Sequence, residues 1–267
     1  MTDIIVESWL DLHDKLFQGA WHPEINRFRA QLAFRGLSDA NYELTTSLMR
    51  QGPGYEHMEK HMLRNFRKYA HRDAVPSDSS WNWLTLAQHH GLPTRLMDWT
   101  FSPYVAMHFA TANLDQFKED GVIWAVDYTK VHQTLPLILR QELTAERADL
   151  FTVEMLDRVV PTTDTLETVC EDPFLLFLEP PSVDDRVVNQ YALLSVTSCA
   201  TERVDDWLAD HPDMHARYVI PAALKWEIRD KLDQANVTER VLFPGLDGLS
   251  TWLKRNYKPR RPAQGRG

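Results

Sequence analysis

Nine side chains able to do chemistry are gathered in three stretches of the chain. Arg35 sits in Ala33-Phe34-Arg35-Gly36. Gln88, His89, Thr94, Arg95, Asp98 and Thr100 share one run that ends at Ser102-Pro103. Arg186 and Gln190 lie far downstream. Guanidinium groups suit forked recognition of phosphate or carboxylate. Arg35 lies in an apolar flank before a glycine, a place from which a strand can aim it at a ligand. Asp98 adds a carboxylate to the central run. The bland alternative is an internal salt bridge of Arg35 or Arg95 with Asp98, or a buried polar network of Arg95, Asp98 and His89 that locks the fold.

Several other chemistries lack their residues. The chain has no GxxxxGK[ST] phosphate loop, no GxGxxG and no GxSxG elbow. His57 and His61 stand at i and i+4, but Glu59 is one position late for HExxH, so a solvated helix face is expected there. His89-His90 are adjacent and rarely point the same way. No metal is expected. Trp81, Trp83 and Trp99 near the central run read as core, with base stacking as the alternative.

The elements that must carry these residues follow from periodicity. Ile5, Trp9, Leu12, Leu16 and Phe17 predict a helix over 4–20. A strand carries Ala33 to Gly36, and Tyr42 to Leu48 reads as a short strand or extended segment. Helices are expected over 55–70 and from Trp81 to Gly91. Gly91 and Pro93 force a turn. Thr94 to Trp99 runs as a short strand, and Ser102-Pro103 opens a helix to about Phe117. Small residues on that helix allow close packing on a sheet. Gly121 to Asp127 is a nearly continuous apolar strand, 131–160 reads as helical, and Phe174 to Leu178 reads as a strand. Arg217 to Ile220 is another strand, a helix opens at Pro221, and a last helix follows Leu242-Phe243-Pro244-Gly245. Strands interleaved with helices without a regular βαβ rhythm predict α+β with a mixed, largely antiparallel sheet flanked by helices.

The run QHHGLPTRLMDWTFSPYVAMHFA resembles the signature of FRG domains, QHYGLPTRLLDWTxSPxxALxFA, and Phe34-Arg35-Gly36 matches the triplet that names them. The resemblance extends from about Phe34 to about Leu253. Arg186 and Gln190 match a later Arg-Ile-x-x-Gln-x-Gly-x-Phe pattern, while Ala192 and Leu194 replace its Gly and Phe. The resemblance implies the ADP-ribosyltransferase-like superfamily: a split, mostly antiparallel sheet with a cleft for NAD. Its usual triad is an Arg or His on an early strand, a Ser/Thr or Tyr on a middle strand, and a Glu or Gln on a late strand. Arg35 answers the first, Thr94 or Thr100 the second, and Gln190 the third. On that basis Arg35, Asp98 and Gln190 are the expected catalytic residues. Gln88, His89, Thr94, Arg95, Thr100 and Arg186 are the expected substrate-binding residues.

Composition sets the remaining expectations. The chain has 267 residues, 43% of them hydrophobic, with a net charge of −9. Residues 254–267 hold six Lys/Arg and no acid, which leaves 23 − 38 = −15 for the rest. An acidic body is a poor generic partner for a nucleic-acid backbone. The reading is a single FRG domain over 1–253, with a helical lead-in, and a basic flexible tail over 254–267. Cys170 and Cys199 read as small apolar filler, and a reducing cytoplasm is the expected location, with no membrane span. The leading functional expectation is an ADP-ribosyltransferase or NAD glycohydrolase with NAD as substrate. It includes a toxin or phage-defence role, a protein or nucleic-acid acceptor, and an antitoxin-like partner. The alternative is a non-catalytic nucleotide- or nucleic-acid-binding sensory module using the same cleft.

Overall fold

The computed structural model describes residues 3–70, 75, 77–182 and 184–259. In chain order it opens with β1 (Asp3–Ile5), α1 (Trp9–Phe17), a small hairpin of β2 (Trp21–His22) and β3 (Arg27–Phe28), and β4 (Leu32–Leu37). The middle third holds α2 (Tyr55–Tyr69), α3 (Ser80–His89), β5 (Met97–Thr100), α4 (Pro103–Ala110) and β6 (Gly121–Asp127). Four helices follow: α5 (Tyr128–Gln133), α6 (Leu137–Glu146), α7 (Val153–Val159) and α8 (Thr163–Glu167). Then come β7 (Leu175–Leu178), α9 (Asp185–Asn189), β8 (Ala192–Thr197) and α10 (Val204–Ala209). β9 (His215–Ile220), α11 (Lys225–Gln234), α12 (Glu239–Leu242) and α13 (Leu246–Asn256) close the fold.

Among the described residues, seven strands form one sheet in the order β1-β9-β6-β4-β5-β8-β7. Among these described strands only the β1–β9 pair is parallel; the other neighbours run antiparallel. The class is therefore α+β with a mixed sheet flanked by helices. Strand alternation sends Phe34, Ile123, Ala125 and Ile220 to one face, under α1, α4 and α11. Ala33, Val122, Trp124 and Val126 go to the other face. A third cluster packs α3, α6 and α7 against Leu176, Leu178, Leu194 and Val196.

Several local expectations change. The first helix is shorter than 4–20, because β-branched Ile4 and Ile5 pair with β9 and Ser8 caps α1 by accepting from Asp11 N–H. Tyr42 to Leu48 forms no strand. The 131–160 stretch breaks into α5, α6 and α7, at Pro136 and at Arg147, which adopts a left-handed φ of 53°. Cys170 is exposed and Cys199 half-buried, so neither is core filler. Trp81, Trp83 and Trp99 are buried, each with its indole N–H donating to a protein oxygen. The helix expected to end before the basic tail runs on to Asn256, and buried Arg255 bonds Asp233 and Glu239. Arg260, Arg261 and Arg266 lie outside the described residues. Among the described residues, no helix is long and apolar enough to cross a membrane.

Candidate functional site: a cleft where the sheet divides

The site lies where two neighbouring strands part. β4 pairs with β6 at every residue from Leu32 to Leu37, and β5 pairs with β8 from Met97 to Thr100. Between β4 and β5 the pairing is confined to Phe34↔Thr100. Beyond that pair Arg35 bridges the opening: its Nη1 donates to the carbonyl of Asp98. Gly36 brings α4 close on the other side. A Cβ on Gly36 would lie 1.8 Å from the carbonyl oxygen of Ala106, so glycine is required for this approach.

The opening is a cleft of two contiguous lobes. One, of about 190 Å³, is walled by Arg35, Asp98, Thr100, Phe109 and Arg186. The other, of about 70 Å³, is walled by Thr85, Gln88, His89 and Pro180-Pro181. Asp98, Arg186, Gln190 and Ala192 line both. Seven of the nine residues singled out from sequence therefore meet here: Arg35, Gln88, His89, Asp98, Thr100, Arg186 and Gln190.

Their roles differ. Arg35 is half-buried, and its Nε is buried without a partner. Burial pushes its pKa down; Asp98 pulls it up, and Arg50 adds repulsion. Arg186 is exposed, with its guanidinium 5.2 Å from the ring centroid of Phe243. Among the described residues, neither arginine has a carboxylate within ion-pair distance. The Arg35–Asp98 salt bridge considered from sequence is a bond to the backbone carbonyl instead.

Asp98 is exposed and held from one side. Gln88 Nε2 donates to its Oδ2 at 3.0 Å, and Thr94 Oγ1 donates to Gln88 Oε1 at 2.6 Å. Thr94 is fully buried and lines neither lobe; it is linked to the cleft through Gln88. His89 Nε2 pairs with Asp184. Burial opposes ionisation of Asp184, but the Val187 N–H, His89 and the Arg186 N–H hold its pKa below the usual carboxylate value. Thr100 Oγ1 donates to the Gln190 carbonyl at 2.7 Å and accepts from Ser102 N–H.

Two further placements depart from the sequence reading. Gln190 caps the C-terminal end of α9 rather than lying within a strand, and its Nε2 donates to the Leu242 carbonyl at 3.0 Å. Arg95 does not reach the cleft: its Nε donates to Glu59 at 2.5 Å and its Nη1 to Glu167 at 2.6 Å. The Arg95–Asp98 pair weighed from sequence does not form, so no buried network of Arg95, Asp98 and His89 exists. His57 and His61 are solvated on α2. Among the described residues, no group of three or more His, Cys, Asp or Glu could hold a metal ion.

Sequence reasoning missed Asp184, the partner of His89, and the α12 segment that places α9. Asn189 Nδ2 donates to the Val241 carbonyl, and Phe243 lies under Arg186. Asp184 was legible as a helix cap, since its side chain accepts from the N–H groups of Arg186 and Val187. Leu242 and Phe243 open the run singled out before the last helix, but nothing local shows that they meet α9.

Residues 30–119 match the family model described as FRG domain. An FRG domain is present in this chain. The matched span holds β4, α3, β5 and α4, hence Arg35, Gln88, Asp98 and the two strands that part at the cleft. Arg186 and Gln190 lie beyond it. Neither a curated protein nor a solved structure matches the chain.

Proposed function

We propose that this FRG-domain protein binds NAD in the cleft between β4 and β5 and cleaves the bond between nicotinamide and ribose. One observation carries the reading: two guanidiniums without carboxylate partners, Arg35 and Arg186, face a lobe whose only carboxylate among the described lining residues is Asp98. Unpaired guanidiniums at one cleft suit a pyrophosphate. The lobes suit the nicotinamide-ribose end, with the pyrophosphate at the mouth beside Arg186. As the C1′–N bond breaks, its electron pair goes to the nicotinamide ring and positive charge develops on the ribose. Asp98, oriented by Gln88, stabilises that charge. Water or an acceptor nucleophile then bonds to C1′ and gives its proton to Asp98. Consumption of NAD suits a toxin or defence effector held silent by an antitoxin-like partner, and the acceptor of a transfer would be protein or nucleic acid.

A second reading, binding without chemistry, is favoured by Gln190. It is neutral, and its amide already donates to Leu242. Calorimetric titration with NAD and with ADP-ribose tests the site under both readings. Arg35→Ala and Arg186→Ala are each expected to weaken binding by about 10–100-fold, the loss of one charge-assisted contact of ~1.5–3 kcal/mol. Unchanged affinity in both variants would remove the cleft from the account.

A further inference from the structure

A second cleft, of about 540 Å³, opens beside the β2–β3 hairpin and, among the described residues, shares only Phe34 with the lobes described above. Its walls are aromatic, with Phe101 and Tyr191 rings 5.0 Å apart and Tyr128 packed edge-on to Phe101 at 6.2 Å. Tyr191 is held at a left-handed φ of 49° with its side chain exposed. Two carboxylates, Asp149 and Glu179, line the same cleft, and neither forms an ion pair among the described residues. Tyr128 is 7% exposed, yet its hydroxyl has no hydrogen-bond partner among the described residues. Burial, then Asp149 and Glu179, push its pKa up to about 12, so it stays a neutral phenol. Among the described lining residues Arg29 is the one cation; it is exposed and donates to the Phe28 carbonyl.

We propose that this cleft binds the guanidinium of an arginine side chain presented by a partner polypeptide. Ring faces and a pair of carboxylates together suit a planar, weakly hydrated cation better than an ammonium. The unpartnered phenol supplies one more acceptor for a guanidinium N–H. A polypeptide source is favoured because exposed Trp21, Ile25 and Phe28 on the hairpin extend the apolar surface outward from the cleft.

The test is calorimetric titration of the full chain with acetyl-Gly-Arg-Gly-amide, its Lys counterpart and agmatine. The Arg peptide is expected to bind at least about tenfold tighter than the Lys peptide. Asp149→Asn with Glu179→Gln, both at exposed positions, is expected to lower Arg-peptide affinity by about tenfold or more. Arg35→Ala is expected to leave it unchanged, which separates this site from the NAD cleft. No binding of the Arg peptide, equal binding of the Lys peptide, binding of agmatine alone, or an unaffected double variant would each overturn the proposal.

Discussion

Arg35 and Arg95 show how far residue types can be read without the fold. Both stand in apolar surroundings, and both were candidates for ligand binding. Arg95 is 2% exposed and paired with Glu59, 36 residues earlier, and Glu167, 72 residues later. Nothing local announces those partners. Arg95→Met is expected to leave Glu59 buried and uncompensated and to cost about 3–5 kcal/mol in urea denaturation. Asp98 is the contrasting case. Its side chain is exposed, so Asp98→Asn is expected to shift stability by less than about 0.5 kcal/mol. A large loss of stability in that variant would return Asp98 to a structural role.

At the scale of elements, periodicity made most strands and helices legible, because their buried faces repeat with the period of the element. Gly36 was legible only as the end of a triplet; its reason is the carbonyl of Ala106 on α4. Gly36→Ala is expected to displace α4 and destabilise the fold by about 1–3 kcal/mol in denaturant, as overpacking does. The link between α5 and β7 was not legible at all. His132 Nε2 accepts from Phe177 N–H at 2.9 Å, so Nδ1 carries the proton and donates to the Asp149 carbonyl at 2.8 Å. Burial lowers the His132 pKa from 6.5 to about 4. Between those values the unfolded chain takes a proton that the folded chain refuses. Stability is therefore full above pH 6.5 and falls as pH drops toward about 4, by up to roughly 3 kcal/mol from this residue. His132→Gln is expected to start less stable at pH 7 and to show a shallower fall over that window; an unchanged slope would contradict this assignment.

For the whole molecule, the α+β class with a mixed, largely antiparallel sheet was legible from the interleaving of elements. The strand order was not, because it depends on pairings such as β4 with β6 across some ninety residues. The same limit applies to the cleft. Its near half, from Arg35 to Thr100, lies within the FRG match, while Arg186 and Gln190 arrive through α9 and are held from α12. A body of net charge −15, outside the last fourteen residues, surrounds a lobe presenting two guanidiniums that have no carboxylate partner among the described residues. That local inversion of charge is what favours the proposed anionic ligand there. The most direct test is nicotinamide release from NAD by the purified protein, with Arg35→Ala and Asp98→Asn assayed alongside. The expected result is release by the wild type and a loss of about 10²–10³-fold in Asp98→Asn, with Arg35→Ala impaired through binding. Release that persists undiminished in both folded variants would contradict the site, and its absence from a wild type that binds NAD would leave a binding module in place of an enzyme.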